Sequence, residues 1–185
     1  YTNIGVSIFL RLFLIFSFVP VIFEKWFYPF FSFSINIFEF DPWLAFLNSG
    51  SNNYEAFPYG YVFYFLYNFF FSILSNFMEV NLANFSAIYL FINLIFETSL
   101  LLLLKHFVTD HKKFLMYYFV NPIPIYVLYV HGQNDIIPIY LMFLSIYFLK
   151  AKKIILSSVA LSFLISTKIV FVVIFPIFLI YIYKN

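Results

Sequence analysis

Residues 122–141 read PIPIYVLYVHGQNDIIPIYL, so five small or polar residues, His131–Asp135, join two strongly apolar runs. Burying polar groups of this kind without hydrogen-bond partners would cost several kcal/mol for each group. The five residues must therefore be solvated, paired with other polar groups, or placed for chemistry. The rest of the chain decides between these three possibilities.

Each residue of this short segment has a known local use. Gly132 permits a tight turn of the backbone, and Asn134 or Asp135 can cap the next helix. Capping alone does not explain why His131 and Gln133 stand beside the cap. A polar cluster at the boundary of a membrane is a candidate functional site.

The composition favours an integral membrane protein. Of 185 residues, 64% are hydrophobic, 26% are aromatic and only 10% are charged. Soluble domains are nearer half apolar and a quarter charged. The chain has no cysteine, which excludes disulfides and thiolate metal sites. The net charge of +2 comes from lysines in short clusters between apolar runs, so it predicts no nucleic-acid partner.

The pattern of apolar runs predicts an all-α protein. The runs are Ile4–Phe23, Tyr59–Phe77, Phe85–Leu104, Phe114–Val130, Ile136–Leu149, Ile154–Ser166 and Ile169–Tyr183. Since a spanning helix needs about 20 apolar residues, we expect a polytopic transmembrane helical bundle with about six spans plus a juxtamembrane helix. Residues 1–185 would form one transmembrane domain, part of a longer protein. The shortest runs cover only about 20 Å, so their ends use polar neighbours or one membrane face is hollowed out.

The lysines set the expected orientation. They cluster at positions 105–113, at 150–153 and at 184, and the positive-inside rule places these clusters in the cytoplasm. His131–Asp135 is then external. The run Tyr59–Phe77 is rich in Tyr and Phe, which favours an interfacial or re-entrant helix and makes residues 24–84 the first external loop. If Tyr59–Phe77 spans instead, the acid-rich segment before it becomes cytoplasmic.

Two carboxylates in this first loop are candidates for chemistry. Glu39 and Asp41 stand two positions apart, where they can share a metal, or one can act as a base while the other positions it. Asp41 and Asp135 are candidate ligands of a possible divalent metal. The alternative is ordinary solvation of a loop in which Pro42 makes a turn.

Other charged residues lie within or between the apolar runs. Lys168 can bind a phosphate group as a point charge, or it can extend its ammonium to the lipid headgroups. Arg11 and Glu97 lie inside predicted spans and are expected to form a structural ion pair or another polar contact between helices. His106 and His111 flank a lysine cluster and are expected to be solvated.

Four short motifs, in this order, resemble the N-terminal module of the GT-C superfamily of membrane glycosyltransferases. They are Glu39-x-Asp41, then Phe57-Pro58-Tyr59-Gly60-Tyr61, then Asn121-Pro122 with His131–Asp135, and finally Thr167-Lys168. The resemblance covers nearly the whole chain. It implies an integral membrane enzyme that transfers a hexose, such as mannose, from a polyprenyl-phosphate donor to a glycan, lipid or protein acceptor.

The resemblance also implies roles for individual residues. It assigns catalysis to three carboxylates: Asp41 as the base or acceptor-orienting group, Asp135 as the acid of the second loop, and Glu39 beside Asp41. It assigns substrate binding to His131, Gln133, Asn134, Lys168 and Tyr59, with Lys168 at the lipid phosphate. The site would lie on the outer face of a plasma membrane, or in the lumen of the endoplasmic reticulum in a eukaryote.

Two other functions remain open from the sequence. In a transporter or flippase fragment, the outer acids and His131 would form a path for protons or substrate. In a purely structural membrane subunit, the same residues would affect assembly only.

Overall fold

The computed structural model describes residues 2–35, 40–50 and 57–184, and every regular element in these ranges is helical. The predicted all-α class is therefore confirmed. The α-helices are α1 Thr2–Ser17, α2 Tyr28–Ser34, α3 Pro42–Asn48, α4 Tyr61–Leu74, α5 Leu82–Leu104, α6 His111–Val120, α7 Pro122–Ile125, α8 Ile136–Lys150, α9 Ile154–Thr167 and α10 Phe175–Lys184. Phe23–Phe27 and Tyr126–His131 are π-helical, and Ile169–Ile174 is a 3₁₀ helix.

Helix α5 is the longest element and lies at the centre of the fold. The Asn81 side chain accepts a hydrogen bond from the Asn84 amide at 2.9 Å, which caps the helix start. Helices α1, α4 and α8 pack against α5, and α8 and α9 form an antiparallel hairpin. In the described part of the chain, α5 is the one unbroken helix long and apolar enough to cross a membrane.

A second candidate span is broken in the middle. His111–Val120 and Pro122–His131 pass the same length and composition test together, but they are bent by 57°. The other apolar helices have 10–17 residues. Helix length therefore supports one or two spans, and the expected six-span arrangement remains a proposal.

Prolines divide two apolar runs that hydropathy treats as continuous. The run Ile4–Phe23 was expected to be one helix, but α1 ends at Ser17. Pro20 lacks an N–H donor and disfavours helical backbone at the residue before it. The run Phe114–Val130 breaks before Pro122, where the Asn121 side chain accepts a hydrogen bond from the Ile123 amide at 2.9 Å.

The lysine clusters meet at one end of the bundle, which we call the basic end. The ammonium of Lys150 lies 4.8 Å from the centre of the Phe107 ring. The ring of His106 lies 4.9 Å from that of Tyr147. The lysines before α6 and those between α8 and α9 are thus neighbours, as the predicted topology requires.

The helices of the hairpin are too short to match α5. Helices α5, α8 and α9 have 23, 15 and 14 residues, which correspond to about 35, 22 and 21 Å. Because they are level at the basic end, α8 and α9 stop about 10 Å short of the other end of α5. The first turns of α5 extend past them and are covered by other elements: Phe85 is 1% exposed, and its ring lies 4.5 Å from that of Phe71 and 5.9 Å from that of Tyr28.

A buried ion pair holds α1 against α5. Arg11 donates to both carboxylate oxygens of Glu97, at 3.0 and 2.9 Å, and both side chains are almost fully buried. The hydroxyl of Tyr129 donates to the same carboxylate at 2.7 Å. The expected structural ion pair is confirmed.

The segment between α1 and α5 packs on the bundle through aromatic side chains. Phe57 is fully buried, and its ring lies 4.6 Å from that of Phe31 and 5.2 Å from that of Phe30. Its backbone is left-handed, with φ of 51°. This conformation turns the chain towards Tyr59 and brings the start of α4 beside the end of α9.

Candidate functional site

An ion pair lies at the end of the helical hairpin opposite its turn. Lys168 comes directly after the last residue of α9, and its ammonium donates to the carboxylate of Asp135, just before α8. The two side chains are 27% and 44% exposed. Asp135 makes no capping hydrogen bond to α8, so the capping interpretation of this residue is wrong. Lys168 has a protein partner and does not simply extend towards lipid.

Tyr59 forms the floor beneath this ion pair. The Lys168 ammonium lies 5.0 Å from the centre of the Tyr59 ring, within range of a cation–π interaction. The ring is held by Phe63, at 4.8 Å, and by Phe57, at 5.5 Å. Burial raises the pKa of the Tyr59 phenol, and the negative charge of Asp135 raises it further. The hydroxyl therefore stays protonated and can donate a hydrogen bond.

Gly60 allows the start of α4 to approach the end of α9. Its amide donates to the Thr167 carbonyl at 3.1 Å. A Cβ atom at position 60 would overlap the carbonyl oxygen of Ser166. Only glycine permits this approach, which places Tyr59 under Lys168.

The turn at His131–Asp135 is held from two sides. Gly132 has a φ of 85°, and its amide and that of Gln133 donate to the Val127 carbonyl at 3.1 and 2.9 Å. The Tyr89 hydroxyl donates to the Gly132 carbonyl at 2.6 Å. A Cβ atom on Gly132 would lie 2.6 Å from the Cβ of Pro20. The turn therefore requires glycine for both its backbone angle and its packing.

Asn134 lies inside the protein and not at the surface of the site. Its side chain is fully buried, and its Oδ1 is 3.1 Å from the Tyr67 hydroxyl, which is also 3.2 Å from Oδ1 of Asn93. Asn134 thus anchors the turn from below. The substrate contact expected for it would have to come from its backbone.

His131 and Gln133 lie at the rim of the turn, and both are half-buried. The imidazole of His131 is parallel to the ring of Tyr126, with centroids 6.2 Å apart. The two residues precede Asp135 by four and two positions, and they are more exposed than the buried Asn134.

The structure shows Asp41 as the N-cap residue of α3. Its carboxylate accepts a hydrogen bond from the Leu44 amide at 3.0 Å and caps α3, with Pro42 at the first helical position. Trp43 donates to the Phe57 carbonyl at 3.0 Å, which ties this turn to the segment that carries Tyr59. Glu39 lies outside the described residues. Within the described ranges, Asp41 makes no hydrogen bond or ion pair with Asp135.

The expected metal site can be compared with the positions of the carboxylate side chains. Among residues 2–35, 40–50 and 57–184, no group of three His, Asp or Glu side chains could hold a metal together. Asp41 and Asp135 are separate in this arrangement. The described residues therefore contain no preformed cluster of metal ligands, and a divalent metal remains a proposal.

The sequence interpretation missed three residues that hold the site. They are Tyr67, Tyr89 and Asn93, which support the turn from α4 and α5. Tyr89 and Asn93 are four positions apart, so they lie on one side of α5. Two polar side chains four positions apart in an otherwise apolar helix were the sequence signal that could have identified Tyr89 and Asn93.

No protein-family model, curated protein or solved structure matches this chain. Three of the four motif segments, at Pro58–Gly60, His131–Asp135 and Thr167-Lys168, are in direct contact.

Proposed function

We propose that this chain is an integral membrane glycosyltransferase that uses a polyprenyl-phosphate sugar. It would transfer a hexose, such as mannose, to a glycan, lipid or protein acceptor on the outer or lumenal face. The observation that carries the proposal is the partly exposed Asp135–Lys168 pair over Tyr59, at the end of two short helices. A lipid-borne donor would reach this pair sideways from the membrane.

The proposed reaction is a displacement at C1 of the sugar. The acceptor hydroxyl gives its proton to the Asp135 carboxylate while its oxygen bonds to C1. The bond between C1 and the phosphate oxygen breaks, and the electron pair leaves with the polyprenyl phosphate. Lys168 stabilises the charge on that leaving group.

The resting ion pair suggests an order of events. In the free protein, Lys168 is paired with Asp135. A donor phosphate at Lys168 would compete with this carboxylate for the ammonium. Donor binding would then release Asp135 to accept a proton from the acceptor.

The remaining candidates have supporting roles in this proposal. His131 and Gln133 line the donor or acceptor pocket from the rim, and Tyr59 supports Lys168 and offers a protonated hydroxyl. Asp41, with Glu39 beside it in the sequence, would orient the acceptor from the first loop. A divalent metal would have to bring Asp41 and Asp135 together.

The test is transfer of a radiolabelled sugar from polyprenyl phosphate in membranes that contain the protein. We expect Asp135→Asn to lower transfer by about 100-fold or more, as for loss of a general base. Asp110→Asn is a matched control, because Asp110 caps α6 by accepting the Lys113 amide at 3.0 Å, far from the site. Asp41→Asn tests the first-loop assignment.

Two outcomes would overturn the proposal. Undiminished transfer in Asp135→Asn would remove Asp135 as the base, and undiminished transfer in both Asp41→Asn and Asp135→Asn would remove the catalytic assignment altogether. Movement of the lipid-linked sugar across the bilayer, without transfer to any acceptor, would favour the transporter or flippase. The second assay uses the same labelled donor in sealed vesicles.

A further inference from the structure

The basic end carries more positive charge than the fold itself uses. Six exposed lysines lie there, at positions 105, 112, 113, 150, 152 and 153. In the part of the chain that the structure describes, Asp110 is the one carboxylate at this end, and it caps α6. The described ion pairs, Arg11–Glu97 and Lys168–Asp135, both lie elsewhere.

Two of these lysines line a cleft between the α8–α9 turn and α10. The cleft has a volume of about 170 Å³ and is lined by Leu149, Lys150, Lys152, Ile154, Tyr181 and Ile182. Lys152 has left-handed backbone, with φ of 58°. The cleft thus places two lysines beside apolar walls, and the Lys150 ammonium also contacts the Phe107 ring.

The surface next to the cleft changes from charged to apolar within a few residues. Helix α9 begins directly after Lys153, and Ile155 in its first turn is 81% exposed. Ile154 and Leu156 beside it are also exposed. Charge followed at once by exposed aliphatic side chains matches the boundary between lipid headgroups and acyl chains.

We propose that this cleft binds the phosphate of an anionic membrane lipid. Lys150 and Lys152 would contact the phosphate, and Leu149, Ile154 and Ile182 would contact the first carbons of the acyl chains. A soluble phosphate could satisfy the ammonium groups, but it would leave the apolar walls uncovered. The inference shares the membrane location with the proposed enzyme but uses none of its chemistry.

The test uses the full chain in vesicles of phosphatidylcholine and phosphatidylglycerol in equal parts. Spin-labelled forms of both lipids report their relative association with the protein. We expect selection of phosphatidylglycerol, and we expect Lys150→Gln with Lys152→Gln to reduce it by roughly fivefold or more, because the lipid phosphate loses both direct charged contacts in the cleft. Lys150→Arg with Lys152→Arg should retain it, which separates loss of charge from loss of folding.

The matched control removes the same charge from the same end but outside the cleft, as Lys112→Gln with Lys113→Gln. This variant should keep most of the selectivity. An equal loss of phosphatidylglycerol selectivity in the two glutamine variants would overturn the cleft as a binding site and would indicate non-specific electrostatic attraction only. Displacement of phosphatidylglycerol by inorganic phosphate would overturn the lipid as the occupant. Sugar transfer should not depend on the cleft, so the two proposals fail separately.

Discussion

The ammonium of Lys168 pairs with the carboxylate of Asp135, 33 positions earlier in the chain. The two residues stand at the open end of the α8–α9 hairpin, opposite the turn that joins the helices. Their contact closes the hairpin where no covalent connection does. Lys168 therefore stabilises the position of the end of α9 and is also the candidate phosphate ligand.

These two roles of Lys168 differ in size. A partly exposed ion pair contributes about 0.2–1 kcal/mol, so Lys168→Gln should lower the free energy of unfolding only slightly. Loss of charge stabilisation at a leaving group should lower transfer by about 100-fold or more. Thermal melting and labelled-sugar transfer measure the two effects. Lys168→Arg, which keeps the charge, should melt normally; a large drop in its melting temperature would indicate a mainly structural lysine.

Substitution of Gly60 tests the contact between the start of α4 and the end of α9. Gly60→Ala should cost about 1–3 kcal/mol of stability, because the new methyl group overlaps the Ser166 carbonyl. Gly5→Ala is the matched control, since a Cβ there meets no described atom within 4 Å. It should be neutral or stabilising, as alanine favours helix. Equal melting temperatures for the two variants would contradict the close approach.

A second glycine pair separates backbone strain from steric overlap. Gly132 and Gly50 have φ values of 85° and 82°, but among the described residues only Gly132 has a neighbour, Pro20, in the way of a Cβ. Gly50→Ala should cost about 1–2 kcal/mol from left-handed backbone alone. Gly132→Ala should cost at least about 1 kcal/mol more. Chemical denaturation measures both, and a smaller effect at Gly132 would contradict the packing of the turn against Pro20.

The buried pair between α1 and α5 should show strong coupling. Arg11→Met leaves Glu97 charged and buried, and it should destabilise the fold by about 3–5 kcal/mol. Adding Glu97→Leu should restore much of this loss. It would also leave the Tyr129 hydroxyl without its partner, at a cost of about 1–3 kcal/mol. A double-mutant cycle from melting curves gives the coupling, and additive effects would contradict the contact.

The sequence predicted helices well where charge or amides bound an apolar run. Phe85–Leu104, Ile136–Leu149 and Ile154–Ser166 correspond closely to α5, α8 and α9. Hydropathy failed at Pro20 and Pro122, because one proline among Ile, Val and Phe lowers the mean hydropathy only slightly yet interrupts the backbone hydrogen bonds. The helix breaks at these prolines arise from the missing N–H group and the fixed ring, which a hydropathy scale does not measure.

The sequence predicted which segments form the candidate site, but it did not predict which residues in them contact each other. Charge asymmetry put Asp135 and Lys168 on one face, and the structure joins them. Their pairing depends on the docking of Gly60, which no local pattern contains. The burial of Asn134 likewise depends on Tyr67 and Asn93 from two other helices. Only the packed arrangement brings these amides under the turn.

The π-helical stretch Tyr126–His131 makes the aim of the Asp135 carboxylate depend on the number of residues before it. The Gly132 amide bonds to the Val127 carbonyl, five residues back, where an α-helix would use the residue four back. A π turn holds one residue more than an α turn, so deletion of one residue of this stretch should convert it to ordinary α-helix. The Tyr89 hydrogen bond and the packing on Pro20 would then have to re-form around one residue fewer. The position of the Asp135 carboxylate thus depends on the length of this stretch, which a substitution scan would not detect.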